Sequence, residues 1–320
     1  MKKVLLFMTD FYGYNKEIIS GLANAGYDVT WKKDKIELSF FERIICKFFS
    51  NYKNKKFDKY FNRTIKNITN NKYDKIIIIF AANFMKLKHI EILRKIFFNT
   101  KIVYYAWDSV SNFPGIEELF KSADNAYTFD KEDAKKYNVG FLPLFYVNSD
   151  VVTKKKDGIS TILSFYNEKC NQIEKIFNCL PSTIENSIYF KIKGWYYLFR
   201  IKNNHKNFYL KYKNYFHRKS LSRLDCIDSY SSAFAVIDVP LPRQNGLTMR
   251  TFEALSIGTK VITTNKNIVE YDFYTPTNIF IVDENTKYID DIFFKTHFDY
   301  EKKPSSSYSL DSFINTLISD

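Results

Sequence analysis

Short apolar runs alternate with amphipathic segments along the first half of the chain. KVLLFM, close to the amino terminus, predicts a buried strand, and the KEIISGLANAG that follows has helical periodicity and ends at Gly26. Further strands are predicted at YDVTWKK, KIIIIF, KIVYYAWD, NAYTFD and VGFLPLF, and helices at Lys88–Phe98 and near Ile116–Ser122. The first half therefore predicts a repeated strand–helix unit.

The same alternation begins again after a polar, lysine-rich segment, Val147–Gly158. Strands are predicted at GISTILSFY, SIYFKIKG, AFAVIDVP, KVITT and NIFIVDE, with helices at NEKCNQIEKIFNCL, SLSRLDCIDSYSSA and the segment after Gly246. SLDSFINTLI predicts a final amphipathic helix. We therefore predict two domains, residues 1–149 and 150–320, with the final helix in the second.

Strands that alternate with helices indicate parallel sheets covered by helices on both faces. The predicted fold class is α/β, with two Rossmann-like domains facing a central cleft and a C-terminal helix. Ligands of open parallel sheets bind beyond the carboxyl ends of the strands. We therefore expect function at Asp10, at Asp108 and in the loop after AFAVIDVP.

Basic charge is concentrated in two segments of this 320-residue chain, which has a net charge of +13. Trp31–Lys75 contains 13 basic and 5 acidic residues, and Ser187–Lys219 contains 9 basic residues and no acidic one. Such local surfaces indicate an anionic partner, and nucleic acid, anionic lipid and phosphorylated glycan all satisfy that description.

A membrane-spanning segment or an export signal is not expected. MKK is followed only by VLLFM before Thr9, whereas an export signal needs roughly 7–15 apolar residues. The four cysteines (Cys46, Cys170, Cys179 and Cys226) form no paired motif. We expect a cytoplasmic location, with peripheral contact at the inner face of the cytoplasmic membrane as an additional hypothesis.

The segment NGLTMRTFEALSIGTKVITTN, residues 245–265, combines a glycine turn with a charged helix start. Gly246 permits a close approach of the backbone to a ligand, and the amides of a helix starting near Thr248 suit an anion such as a diphosphate. Arg250 can contact the same anion through its guanidinium, and Glu253 can accept hydrogen bonds from a ribose diol. The alternative is an ordinary surface ion pair between residues three positions apart.

QNGLTMRTFEALSIGTKVITTN, with Ile268–Tyr274 and Asn278–Asp283, resembles the carboxyl-terminal half of bacterial GT-B glycosyltransferases that synthesise lipopolysaccharide and capsular polysaccharide. The resemblance implies that Glu253 holds the ribose of a nucleotide sugar, and that the loop and helix start lie by its diphosphate. That set comprises Gln244, Asn245, Gly246, Leu247, Thr248 and Arg250. It also implies catalysis without an essential metal or other cofactor.

Two features depart from this family's pattern. Ser164–Lys169 stands where many such enzymes have a glycine and a basic residue, so Ser164 and Tyr166 are candidate donor contacts and Lys193 a candidate replacement charge. A solvated strand-end lysine is the alternative for Lys193. Val261 occupies the position of the second glutamate in the E-x7-E arrangement of one retaining class, so the stereochemistry stays open.

Transfer with inversion needs a base for the acceptor hydroxyl, and Asp10 and Asp108 are the candidates. Each can instead cap a turn or helix, as strand-end aspartates commonly do. No Asp-x-Asp motif accompanies them, and no metal site is expected.

Leu38–Phe61 has apolar residues at helical spacing beside lysines, which suits an anionic membrane or a lipid-linked acceptor. Packing on its own domain is the alternative.

The predicted function is a glycosyltransferase that moves a sugar from a nucleotide sugar to a lipopolysaccharide or capsule acceptor. One alternative is a non-catalytic nucleotide- or glycan-binding protein of the same architecture. A basic nucleic-acid-binding protein is less favoured, because no recognition motif accompanies the aromatic and basic residues of Trp195–Lys219.

Overall fold

A computed structural model describes residues 1–49, 51–80, 84–113, 115–148 and 157–319. Contacts between residues divide the chain into two units. The first comprises Met1–Pro143 together with Asp311–Asp320, and the second comprises Leu144–Leu310. None of the helices in the described ranges has the length and apolar character needed to cross a bilayer.

The first unit is built on a six-stranded parallel sheet with the order β2-β1-β3-β4-β5-β6. Its strands are β1 (Lys2–Phe7), β2 (Tyr27–Lys32), β3 (Lys75–Ile79), β4 (Lys101–Ala106), β5 (Asn125–Thr128) and β6 (Gly140–Phe141). Its helices are α1 (Tyr14–Asn24), α2 (Phe40–Phe48), α3 (Tyr52–Lys66), α4 (Leu87–Ile96), α5 (Ile116–Ser122) and α6 (Lys131–Tyr137). Every residue of β3 is buried, as expected for a central parallel strand with helices on both faces.

The second unit contains another six-stranded parallel sheet, in the order β12-β11-β10-β7-β8-β9. Its strands are β7 (Ile159–Ser164), β8 (Asn186–Lys191), β9 (Phe216–His217), β10 (Ala235–Asp238), β11 (Lys260–Thr263) and β12 (Ile279–Ile281). Its helices are α7 (Cys170–Cys179), α8 (Trp195–Asn204), α9 (Lys206–Tyr212), α10 (Arg223–Ser232), α11 (Met249–Ser256) and α12 (Asp291–Lys295). A short 3-10 helix, Asn167–Lys169, follows β7. The two parallel sheets confirm the predicted α/β class.

Helix α13 (Leu310–Ile318) lies mostly in the first unit, although the sequence placed it in the second domain. Its Phe313 ring lies 4.8 Å from the ring of Tyr105 in β4. Buried Lys75 donates from Nζ to the carbonyl oxygens of Ile318 at 2.5 Å and Ser319 at 2.6 Å. A cation suits the negative end of a helix dipole, so Lys75 ties the carboxyl end of α13 to β3.

Two boundaries differ from the sequence-based interpretation. The contacts separate the units after Pro143, whereas the predicted boundary falls at 149/150, beside residues outside the described ranges. The apolar residues at helical spacing over Leu38–Phe61 belong to two helices and not to one. The backbone leaves the helical region at Phe49 (φ −123°, ψ 88°), and a new helix begins after Asn51.

Two helix ends have local sequence signals. Ser222 caps α10 in a reciprocal pair with Asp225, and Gly258 ends α11 with φ +73°. A side chain at Gly258 would be strained by that φ and would also meet the Tyr300 ring at 2.9 Å.

Candidate functional site

The sheet of the second unit reverses its strand order between β7 and β10. The chain builds outward from β7 through β8 to β9, and then crosses to the other side to form β10. Loops leaving the two central strands at such a point diverge and leave a crevice for a ligand. β7 ends at Ser164 and β10 ends at Asp238, so the loops that follow them define the candidate site.

Asp238 is the centre of this region, and sequence reasoning missed it. Its carboxylate is fully buried and accepts hydrogen bonds from Thr248 Oγ1 at 2.9 Å, Arg250 Nη1 at 2.5 Å and Thr251 Oγ1 at 3.1 Å. A carboxylate at the end of the apolar strand AVID, ten residues before a threonine and twelve before an arginine, was the available signal. Asp238 fixes the start of α11 to the end of β10.

Arg250 is directed into the site by this contact. Its side chain is 15% exposed. Burial opposes its charge, but Tyr230 and Asp238 outweigh that effect and raise the pKa of Arg250 above its usual value. Its Nε is buried and has no hydrogen-bond partner among the described residues. Arg250 is therefore a permanent cation with a donor still to be satisfied.

Arg250 and Glu253 do not form a surface pair, so that alternative is wrong. Glu253 is 2% exposed, and its Oε1 lies 3.4 Å from Nη1 of buried Arg223 in α10. The two residues of one helical turn are thus engaged by different neighbours, Arg250 by β10 and Glu253 by α10. Spacing along a helix indicates which residues share a face and leaves their partners open.

The loop Gln244–Leu247 is held by side chains from beyond β11. Asn265 Nδ2 donates to the carbonyl oxygens of Asn245 at 3.1 Å and Gly246 at 3.3 Å, and Gln244 Nε2 donates to the Gly246 oxygen at 3.1 Å. Leu247, the last residue of this loop, is buried. No role for Asn265 is predicted from the sequence, although it is the last residue of the segment 245–265.

The amino terminus of α11 has no side-chain cap. Thr248 occupies the cap position, but its hydroxyl donates to Asp238. The first amides of a helix have no partner within it, and they lie at the positive end of the helix dipole. This end of α11 therefore suits an anion.

Lys169 is a second cation at this point, and the sequence analysis did not select it. It ends the 3-10 helix after β7, is 6% exposed, and donates from Nζ to the Val239 carbonyl oxygen at 2.5 Å. Burial, and then the nearby charge of Arg250, lower its pKa from the usual 10.5 to about 7 against the opposing effect of Asp238. We refer to Lys169, Asp238 and Arg250 as the switch-point cluster.

Three further predicted residues lie at or just after the ends of β7 and β8, and one of them, Tyr166, lies beside Lys169. Ser164 is the last residue of β7, and Tyr166 begins the turn into the 3-10 helix. The Tyr166 ring centroid lies 5.9 Å from Lys169 Nζ and 5.3 Å from Nζ of exposed Lys193, which follows β8. A buried basic residue, Lys169, therefore does follow the first strand of this unit, and exposed Lys193 lies near the same Tyr166 ring.

The predicted carboxylates of the first unit follow strands on either side of β3. Asp10 is exposed after β1, and Asp108 is half-buried after β4. Two strand spacings separate these strands, or roughly 10 Å. The Tyr14 and Trp107 rings, with centroids 6.1 Å apart, connect the two loops.

The loop that carries Asp108 is fixed by two buried acids. Ser109 Oγ donates to Asp130 at 2.5 Å, and the Val110 amide donates to Asp133 at 2.8 Å. Asp130 also caps α6. Burial is the main cause that raises the pKa of Asp133 above its usual value. Asp130 and Asp133 thus have a structural role and hold the backbone next to Asp108.

Comparison with known proteins gives matches among solved structures. No protein-family model and no curated protein matches the sequence. Sucrose-phosphate synthase from Thermosynechococcus elongatus is similar over 99% of this chain and 95% of that one, with 11% identity and a TM-score of 0.62. HepE from Anabaena, solved in complex with UDP-glucose, is similar over 99% and 98%, with 10% identity and a TM-score of 0.64. The chain has the GT-B fold.

A glycosyltransferase from Rickettsia africae shares the GT-B fold over 98% of this chain and 96% of its own, with 11% identity and a TM-score of 0.57. Identities of 10–11% establish architecture. A UDP-N-acetylglucosamine 2-epimerase has the same architecture, with a TM-score of 0.54. The reaction must therefore be argued from the site itself.

Proposed function

We propose that the protein is a glycosyltransferase that takes a sugar from a nucleotide-sugar donor. The observation that carries this proposal is the switch-point cluster, where Arg250 and Lys169 meet the uncapped start of α11. Two cations and a helix amino terminus at a strand-order reversal suit a nucleoside diphosphate. HepE, which has this fold, was solved with UDP-glucose.

In the proposed reaction an acceptor hydroxyl attacks the anomeric carbon of the donor sugar. The bond from that carbon to the diphosphate oxygen breaks, and the electron pair leaves with the diphosphate. Arg250, Lys169 and the α11 amides stabilise the departing negative charge. We assign the hydroxyl proton to Asp10 or Asp108, and we expect no metal requirement because protein cations serve the leaving group.

The donor contacts are proposed as two subsites. The diphosphate lies against Gly246–Arg250 with Lys169, and Gln244 and Asn245 shape that loop. Glu253 accepts from the ribose, after its contact with Arg223 rearranges. Ser164, Tyr166 and Lys193 border the sugar or phosphate at the rim.

The proposed acceptor is a cell-surface glycan of the lipopolysaccharide or capsule type. The resemblance of residues 245–265 to enzymes of that group supports this choice. Both basic segments also suit a phosphorylated glycan, and the first of them suits a lipid-linked acceptor at an anionic membrane.

Two variants separate the ribose and diphosphate subsites in a binding assay. Titrations compare nucleoside diphosphates, nucleotide sugars and inorganic pyrophosphate. Arg250→Lys keeps a cation beside Asp238 but loses the guanidinium fork, so we expect roughly tenfold to hundredfold weaker binding of nucleotides and pyrophosphate alike. Glu253→Gln should weaken the binding of nucleotides by roughly tenfold and leave the binding of pyrophosphate unchanged.

The melting temperature of each variant without ligand serves as the folding control. The assignment of subsites is wrong if no nucleotide binds the native chain. It is also wrong if Glu253→Gln weakens the binding of pyrophosphate as much as the binding of nucleotides.

Turnover distinguishes a transferase from a non-catalytic binding protein. We expect the native chain to release nucleoside diphosphate from the donor only when a glycan acceptor is present, and to do so in EDTA. Loss of a catalytic base costs typically 10²- to 10⁴-fold in rate, so Asp10→Asn or Asp108→Asn should show that loss with donor affinity unchanged. Donor binding without release by any acceptor would favour the binding protein, and conversion of the free sugar nucleotide to an epimer would overturn the transferase.

A further inference from the structure

Helix α2 turns its apolar stripe toward solvent. Phe41, Ile44 and Phe48 recur at helical spacing on one face, and Phe41 and Phe48 are 75% and 78% exposed. Phe49, directly after the helix, is 67% exposed. A surface helix normally directs such a stripe at its own core, so a contiguous exposed patch marks an interaction surface.

The polar side of α2 attaches it to α3. Glu42 accepts from Tyr52 at 3.2 Å and forms an ion pair with Lys56, and it also forms a reciprocal cap with Ser39. Lys56, and then the Ser39 amide, lower the pKa of Glu42 to about 2. Because Glu42 faces α3, the opposite, aromatic face of α2 points outward.

Helix α3, in contrast, packs on its own unit. Phe57 and Phe61 are buried, and the Phe61 ring centroid lies 6.1 Å from that of Phe7 in β1. The two interpretations of Leu38–Phe61 are therefore divided between two helices. Packing on the domain describes α3, and an open amphipathic surface describes α2.

The outer face of α3 is cationic. Lys55, Lys59, Arg63 and Lys66 follow one another at intervals of four, four and three residues, and all four are exposed. None of them is ion-paired with a carboxylate in the part of the chain that the structure describes, whereas Lys56 and Lys88 pair with Glu42 and Asp58. An open cleft of about 520 Å³ lies where the two helices meet, lined by Ile45, Phe48, Phe49, Asn51, Tyr52 and Lys55.

We propose that the exposed face of α2 and the cationic face of α3 form a docking surface for an anionic lipid bilayer. Aromatic side chains that enter the boundary between headgroups and acyl chains, with lysine and arginine beside them, are the pattern of an interfacial helix. The cations contribute roughly fivefold each to partitioning onto an anionic surface. The surface does not depend on the proposed transferase activity.

Sedimentation of the full chain with lipid vesicles tests this surface. Vesicles of phosphatidylcholine with phosphatidylglycerol should bind the native chain, and vesicles of phosphatidylcholine alone should bind it far less. Phe41→Ser/Phe48→Ser should reduce partitioning at least tenfold, and Lys59→Gln/Arg63→Gln roughly twenty-fivefold. Circular dichroism and the melting temperature verify that these exposed substitutions leave the fold intact.

The second basic segment provides the matched control. Tyr196 and Phe199 in α8 are each 62% exposed beside basic residues, and Tyr196→Ser/Phe199→Ser should leave vesicle binding unchanged. The proposal is overturned if this control variant loses as much vesicle binding as the α2 variant, or if the native chain does not bind anionic vesicles. Binding of a single-stranded oligonucleotide through the same α3 cations, by a chain that does not bind anionic vesicles, would assign the surface to nucleic acid and overturn the proposal.

Discussion

Asp238→Asn should lower the free energy of unfolding by about 3–5 kcal/mol, a larger loss than a typical substitution causes. The change keeps the volume of the side chain and removes only its charge. Arg250 then remains largely buried with a neutral neighbour, and Thr248 and Thr251 face an amide where they faced a carboxylate. Urea unfolding followed by circular dichroism measures the loss.

Asp290→Asn is the matched control for this experiment. Asp290 likewise lies at the start of a helix, where it accepts a hydrogen bond from the Ile292 amide at 2.8 Å, but it is exposed and caps α12. Asparagine is about as good a cap as aspartate, so the cost should be only a few tenths of a kcal/mol. Equal losses at the two positions would contradict a special role for Asp238.

A double variant tests whether the cost arises from Arg250. Asp238→Asn combined with Arg250→Met removes the charge that the single change leaves unpaired. Because the two residues are in contact, the combined loss should be smaller than the sum of the two single losses. Additive losses would mean that Asp238 acts mainly through the two threonines.

The sequence predicted the architecture because architecture depends on patterns that are local. Buried strands such as KIIII and helix ends such as Gly258 have signatures within a few residues. The final helix shows the limit of this information. Its apolar face indicates that it packs on something, but only the Lys75 and Tyr105 contacts decide that it packs on the first sheet.

The candidate site was predicted in part for the same reason. Its loop and helix were found from a glycine turn and a strand end, which are local signals. Asp238 and Lys169 were missed because their roles depend on β7 and β10 being neighbours, although 70 residues separate Lys169 from Val239. A buried lysine and a strand-end aspartate become a phosphate-binding candidate only once the strand order is known.

Nucleotide-sugar binding should take up a proton through Lys169. With a pKa of about 7, this lysine is largely neutral at about pH 8 in the unliganded protein. A bound diphosphate favours its charged form and raises that pKa. Calorimetry in two buffers of different ionisation enthalpy should therefore show close to one proton taken up per nucleotide sugar at about pH 8, and much less at about pH 6.

The same linkage makes the affinity depend on pH. Each pH unit above about 7 should weaken binding by on the order of tenfold, until the pKa of the complex is reached. Lys169→Met should bind more weakly throughout, with no proton uptake and a flat pH profile. Lys193→Met, which removes an exposed cation beside the same Tyr166 ring, should keep the uptake.

The lowered pKa of Lys169 should also make the free energy of unfolding of the unliganded protein depend on pH. The pKa of Lys169 is lower in the folded chain than its usual 10.5, so between about pH 7 and pH 10.5 the unfolded chain holds the proton that the folded chain has lost. The free energy of unfolding of the native chain should therefore rise with pH relative to that of Lys169→Met across this window. The opposing outcome is that the free energies of unfolding of the native chain and of Lys169→Met change with pH in parallel, while nucleotide-sugar binding to the native chain still takes up a proton. In that case another group accepts the proton, and Lys169 is charged before the ligand binds. If Lys169→Met loses both the proton uptake on binding and the rise of the free energy of unfolding with pH, the buried lysine couples donor binding to protonation.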